Sequence, residues 1–297
     1  MKSLNEFFIQ KKLTNYSYLL PQFHNMQQIH IDYDSAITFI NENKHEIKNI
    51  DHYYRQVYKV NSGMVNKIGV SESNRRVHSS LTSFPKKLRP FLCLVNEETG
   101  EMNFRKVTID GKNTQPLLMC VSMIQNGVAP DEDFKRLCEN GTLYDTMADE
   151  LSEKRNWVKE NLMCSILFTP NNSEYTHVKE MHSKNNLAKK KMSVYFKNRF
   201  PITYEWLKTT KKTLKGNSKR NVGGSRLACE IQKMEAELWI HQLLKWVGHD
   251  MVYITVHDSI IIFDYKEEQV HDIVAKIKEI GKELYGIEIP LSIEYCK

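Results

Sequence analysis

The segment MVYITVHDSIIIF, residues 251–263, constrains the fold more than any other part of the chain. Two apolar runs rich in β-branched residues are separated by His257, Asp258 and Ser259, which reads as a β-hairpin with its polar tip at the turn. A carboxylate is thereby presented at a strand end. The stretch GEMNFRKVTIDGKNTQPLLMCVSMI repeats the arrangement: Val107 and Ile109 alternate with polar neighbours, Asp110 and Gly111 end the strand, and an apolar helix follows. IEIPLSIEY reads as a further strand. Between the strands lie helical patterns, one through Val270, Ile273, Val274, Ile277, Ile280 and Leu284, one from Leu227 to Trp246, and a stretch from Asp131 to Phe168. Strands far apart in sequence with helices between them predict an α+β fold, a mostly antiparallel sheet with helices on one face.

The remaining text is less patterned. Residues 1 to about 60 are rich in Asn, Gln, Tyr and His, with one helix expected near Ser35 to Ile50. GVSESNRRVHSSLTSFPKKLRPF reads as a polar loop leading into the apolar run Phe91 to Val95. LKGNSKRNVGGSR, with Gly216, Gly223 and Gly224 among cations, reads as a mobile loop that a ligand would order. No internal repeat is apparent.

With 297 residues, 41% of them apolar and 26% charged, the chain can bury a sizeable core and has no apolar run long enough for a membrane span. MKSLNEFFIQKK lacks the apolar core of a secretory leader, so a cytoplasmic, intracellular protein with no membrane partner is expected. Six scattered cysteines, none in a CxxC pair, point to free core thiols. The net charge of +6 is unevenly spread: Lys184 to Arg220 carries +11, which leaves −5 for the rest. Such segregation suggests a polyanion partner, or a solvated surface. Tyr195, Phe196, Phe200, Tyr204 and Trp206 are interleaved with the cations and could stack on bases or serve as core.

Two aspartates at separate strand ends, a basic aromatic segment, and Arg155 and Lys159 four apart on one helix face are parts suited to metal-dependent phosphoryl transfer. Mg²⁺ takes oxygen ligands and keeps several waters, so two aspartates and substrate phosphates could complete two sites about 4 Å apart. Taken singly, Asp110 could equally cap the following helix and Asp258 a turn.

From about Asn74 onward, the order of these features resembles family A DNA polymerases, the group of bacterial repair polymerase one and many phage replicases. RRVHSSLTSFPKKLRPFL is similar to the family's loop that contacts the primer-template minor groove, with Arg76 in the arginine role. TIDGKNTQP resembles motif A, RNWVK the start of motif B, EIQKMEAEL the glutamine-bearing helix after it, and VHDSIIIF motif C. The resemblance implies Asp110 and Asp258 as catalytic residues that bind two Mg²⁺ ions, or Mn²⁺, with Gly111 beside them in the metal site. It implies Gln115, Arg155, Lys159 and Met163 as nucleotide contacts. Arg76, Gln232 and His257 are implied as nucleic-acid contacts, and Lys189, Lys190, Lys191, Lys211 and Lys212 are assigned to nucleic acid collectively. The implied fold has an antiparallel palm sheet, a helical fingers insertion and a reduced or absent thumb. Its implied divisions are an N-terminal thumb or scaffold (1–73), palm (74–130), fingers with the basic loop (131–225) and palm again (226–297).

The implied activity is DNA synthesis from dNTPs on a primer-template, without a proofreading domain and with low processivity unless a partner or second copy supplies a clamp. Three positions depart from the family pattern. Gln115 stands where the family has a glutamate beside the ribose, Met163 and Leu167 replace two aromatics, and Ser259 replaces the glutamate after the motif C aspartate. Sugar preference and template are therefore open. Other readings of the same residues are a primer-synthesising or terminal-transferase variant, a degenerate module that only binds nucleic acid, and a metal-dependent nuclease.

Overall fold

The computed structural model describes residues 14–65, 67–96, 98–168, 184–217, 222–248 and 250–296. MKSLNEFFIQKK, and Lys219 and Arg220 of the basic segment, lie outside the described residues, as does part of the expected 216–224 loop. The chain divides into two compact units: the first takes residues 1–111, 236–280 and 291–297, the second 112–235 and 281–290.

In the first unit, a 3₁₀ segment (Thr14–Leu19) leads into α1 (Leu20–Gln28), β1 (Ile29–Ile31), α2 (Tyr33–Glu42) and α3 (Ile50–Asn61). The helix expected near Ser35 to Ile50 therefore ends at Glu42, and Ile50 instead starts a separate helix, α3. Asn43 closes α2 by donating its amide to the Phe39 carbonyl, and the Asn49 side chain accepts from His52 N–H to start α3. Short amides compete for helix-end backbone groups, and that competition outweighs the apolar spacing. Ile47, part of the expected stripe, is buried in the connection.

The expected loop before Phe91 also contains structure: β2 (Ile68–Val70) and β3 (Val77–Ser79) form a small antiparallel hairpin, and Lys86–Phe91 is a 3₁₀ turn flanked by Pro85 and containing Pro90. β4 (Leu92–Val95) then pairs with β1 and with β5 (Met102–Asn103).

The main sheet is four-stranded and antiparallel. It contains β6 (Lys106–Gly111), β7 (Val252–Thr255), β8 (Ser259–Phe263) and β9 (Leu291–Cys296) in the order β7-β8-β6-β9. Every residue of β8 is buried, as its unbroken apolar run requires, so both faces are covered at this strand. The free edge of β7 is masked by α1: Asn25 donates to the carbonyls of Tyr253 and Met251, and Gln22 accepts from the Thr255 hydroxyl. Side-chain amides thus satisfy an edge that would otherwise invite another strand. Lys106, buried at the start of β6, is held by the carbonyls of Pro90 and Leu92, at 2.8 and 2.9 Å.

The second unit is helical. It contains α4 (Thr114–Gln125), α5 (Glu132–Glu139), α6 (Leu143–Leu151), α7 (Arg155–Leu162) with a π-helical extension (Met163–Leu167), α8 (Lys184–Arg199) and α9 (Pro201–Lys215). The basic segment therefore forms two helices, and four of its five aromatics are core: Phe196 and Phe200 pack edge to face with Phe134, centroids 5.1 to 5.6 Å apart, and Tyr204 and Trp206 are buried, while Tyr195 is half-buried and donates its hydroxyl to Glu150. The Asp131 carboxylate accepts from Ile202 and Thr203 N–H at the start of α9, serving as a cap from another part of the chain.

The helix α10 (Gly223–Ala236) begins at the glycines expected in a mobile loop, and both Gly223 and Gly224 are buried. A Cβ on Gly223 would lie 2.0 Å from the Lys211 carbonyl oxygen, so the residue is a close-approach glycine rather than a flexible one. After α10 come a π-helical segment (Glu237–Gln242), α11 (Leu243–Val247) and, past the β7–β8 hairpin, α12 (Glu267–Tyr285). Among the described residues no helix is long and apolar enough to cross a membrane. Cys93, Cys120 and Cys138 are buried, and all six cysteines are free thiols.

Candidate active site

The β7–β8 turn is closed by Val256 N–H to the Ser259 carbonyl (2.9 Å) and Ser259 N–H to the Val256 carbonyl (3.1 Å), which leaves His257 and Asp258 as its two central residues. His257 has φ 57°, the left-handed conformation that a tight hairpin turn of matching twist needs at its first central position. The Ser259 hydroxyl donates back to the Val256 carbonyl and is buried, so it braces the turn.

On the neighbouring strand, Asp110 is registered against Ser259, and Gly111 N–H donates to the Asp258 carbonyl at 2.9 Å. Asp110 and Asp258, remote in sequence, are thereby brought to the same end of two adjacent antiparallel strands, and both are half-buried. Because strand pairing fixes their backbones, their placement costs little extra ordering on ligand binding.

Arg76, His78 and Arg89 also act electrostatically at this strand end. Burial, with the nearby charges of Arg76, His78 and Arg89, pushes the His257 imidazole down to about 4, so it is neutral at neutral pH and can form hydrogen bonds without adding charge. Its Nδ1 is buried without a hydrogen-bond partner among the described residues. Arg89, on the 3₁₀ turn before β4, has its pKa lowered by burial while the Asp110 carboxylate acts in the opposite sense, and its Nε has no hydrogen-bond partner among the described residues. Arg89 and His78 were not among the residues singled out from sequence. Their only signal was cationic character in a Pro-flanked loop, and nothing local shows that this loop runs past the end of β6.

In the second unit, Arg155 and Lys159 lie on one face of α7, both over the Tyr144 ring at 5.4 and 5.9 Å from its centroid. Asp145 pairs with Arg155 at 2.9 Å, in an exposed ion pair of little energetic weight. Met163 opens the π-helical extension and is half-buried, as is Gln232 on α10. Gln115, in the first turn of α4, donates to Oε1 of the fully buried Glu235 at 3.0 Å.

The five lysines assigned together do not share one environment. Lys189 and Lys190 are half-buried and Lys212 is exposed. Lys191 is tied to Glu153 at 2.6 Å and to the Leu151 carbonyl. Lys211 is 2% exposed, donates to the Ile166 carbonyl, and has its pKa lowered to about 7 by burial. The expectation that Lys211 faces nucleic acid is corrected: its α9 position points the side chain into the core.

Two half-buried carboxylates at one strand end, with the Gly111 backbone beside them, form an all-oxygen donor set that leaves room for waters and substrate oxygens, a set that suits Mg²⁺ or Mn²⁺. Among the described residues no group of three or more His, Cys, Asp or Glu side chains forms a closed cage.

No family model matches the chain. No curated protein matches it either. Among solved structures it is similar to the POL domain of Pol1 from M. smegmatis, a structure in complex with DNA primer-template and dNTP, at a TM-score of 0.58 and 15% identity. The match covers 89% of this chain and 55% of that one, so the chain spans about half the length of the polymerase chain it resembles. This likeness establishes a shared fold.

Proposed function

We propose that the chain is a compact nucleotidyltransferase of the family A polymerase type, which extends a primer on a DNA template from dNTPs. The observation that carries this reading is the meeting of Asp110 and Asp258 at one end of β6 and β8, within a fold shared with a polymerase POL domain. That solved domain is bound to primer-template and dNTP, and the same two partners are proposed here.

Asp110 and Asp258, with the Gly111 backbone, are the groups that would hold the divalent ions. When bound, two Mg²⁺ ions supply Lewis-acid charge to the attacking hydroxyl and to the phosphate oxygens. Arg155 and Lys159 bind triphosphate oxygens as fixed cations, a role that fits their placement side by side on Tyr144. Gln115 and Met163 contact the nucleotide, and the bond from Gln115 to Glu235 fixes its amide. Neutral His257 offers hydrogen bonds at the primer end, while Arg76 and Gln232 contact the nucleic acid. The primer 3′-oxygen forms a bond to the α-phosphorus as the bond to the β-phosphate oxygen breaks; pyrophosphate leaves, and the hydroxyl proton passes to water.

Extension of a labelled primer with Mg²⁺ and each dNTP or rNTP tests the proposal. Template-directed extension that disappears in Asp258→Asn is the expected result. Salt-sensitive duplex binding with no extension on any template would replace it with a binding module.

A further inference from the structure

His241 lies in the π-helical segment Glu237–Gln242 and is 1% exposed. Its Nε2 stands 2.9 Å from the carbonyl oxygen of Arg75, and its Nδ1 stands 2.5 Å from the Tyr18 hydroxyl. A carbonyl only accepts, so Nε2 carries the hydrogen. Burial lowers the ring's pKa, while the bond to the Arg75 carbonyl and the Glu237 charge act in the opposite sense and the charges of Arg75 and Lys245 add to the lowering; with Nε2 donating, Nδ1 is the atom that accepts from the Tyr18 hydroxyl. Burial raises the Tyr18 phenol, which keeps it a donor.

Arg75 is gripped a second time, because its Nη1 meets Glu237 Oε2 at 2.8 Å, and Gln242 donates to the other Glu237 oxygen at 2.6 Å. Its backbone has φ 57°, a left-handed conformation that a non-glycine residue keeps only when its surroundings hold it. Within the β2–β3 turn, Arg75 N–H donates to the Ser71 carbonyl and Ser71 N–H to the Arg76 carbonyl. The Arg75 side chain is therefore committed to the π-helical segment. Arg76, next in the chain, belongs to the same turn, where its carbonyl accepts from Ser71 N–H at 3.0 Å. π-Helical insertions recur at functional sites, where one extra residue per turn re-aims a side chain.

We propose that His241 is a positioning residue: by holding the Arg75 carbonyl while Glu237 holds the guanidinium, it fixes the turn that carries Arg76, and affinity for primer-template duplex depends on it. This rests on the reading of Arg76 as a duplex contact. It also gives the Thr14–Leu19 segment a task, since Tyr18 completes the hydrogen bonds of the ring.

The test is the Kd of a fluorescent primer-template duplex, measured by anisotropy in EDTA so that no chemistry intervenes. His241→Leu is expected to weaken binding about tenfold, and Arg76→Ala by a similar factor. The double variant should be no weaker than either alone, because one effect runs through the other. His241→Gln, whose amide can still donate to the Arg75 carbonyl, should restore most of the affinity. An unchanged Kd in His241→Leu, additive losses in the double variant, or a His241→Gln as weak as His241→Leu would each overturn the proposal. A His241→Leu effect with Arg76→Ala silent would overturn it too. Should His241→Leu fail to fold in a thermal melt, Glu237→Gln, on the same clamp, decides by the same comparison with Arg76→Ala. Primer extension by Asp258→Asn bears on the polymerase reading alone, so the two can fail separately.

Discussion

Lys211 sits in the most basic stretch of the chain, yet its ammonium is in the core on the Ile166 carbonyl, with a pKa lowered to about 7 from 10.5. Between those two values the unfolded chain binds the proton that the folded protein has lost, so the stability contributed by this group rises with pH across that window. Lys211→Met removes the cost of burying the charge. It should stabilise the protein by about 1 to 3 kcal/mol at pH 7 and flatten the rise between pH 7 and 10, read from urea unfolding at several pH values. At the strand end, the turn is closed by main-chain atoms of residues 256 and 259, and Gly111 N–H donates to the Asp258 carbonyl, so these backbone bonds do not depend on the Asp258 side chain. Asp110→Asn and Asp258→Asn should each lower nucleotide incorporation by about 10² to 10³-fold or more while the melting temperature barely moves. A large loss of melting temperature in either variant would mark the aspartate as structural.

At the scale of elements, the strands and amphipathic helices were legible because each has a regular period. The β7–β8 hairpin, β6 with its terminal Asp110, and α12 follow the patterns of their side chains closely. Where a local competitor or a distant neighbour decides, legibility ends. Asn43 ends the helix expected to reach Ile50, Asn49 starts a separate one, and the π-helical segments have no local signature, because what defines them is one extra residue taken into a turn. Gly223 looks like a loop glycine in sequence, and only the approach of the Lys211 backbone explains it. Gly223→Ala should therefore destabilise the protein by about 2 kcal/mol or more, although alanine is the better helix former by about 1 kcal/mol. Thermal unfolding gives the sign directly. Phe200→Ala, which opens the aromatic cluster with Phe134 and Phe196, should cost about 3 to 5 kcal/mol, which is the expectation for a core residue and not for a base-stacking one.

For the whole molecule, the charge asymmetry that suggests a polyanion partner survives in part. Lys191 and Lys212 are exposed, Lys189 and Lys190 are half-buried, and Lys211 is buried. Replacing Lys189, Lys190, Lys191 and Lys212 by Ser should weaken duplex binding irrespective of sequence and reduce the slope of log K against log salt by up to about 4, whereas Lys211→Met should leave the slope nearly unchanged. Binding titrations at several salt concentrations distinguish the two sets. The order of features along the chain was enough to indicate an antiparallel α+β fold and to single out Asp110 and Asp258, because periodicity and turn chemistry are local properties written in neighbouring residues. Sequence alone also put Arg155 and Lys159 on one helix face, through the four-residue spacing. What tertiary structure alone decided is which side chains share a neighbourhood: that the two aspartates meet across β6 and β8, that Arg89 and His78 act at the same strand end, that Tyr18 and His241 hold Arg75, and which lysines face inward. Each depends on strand register or on packing between segments remote in sequence, and no pattern within a single segment encodes the partner it will meet.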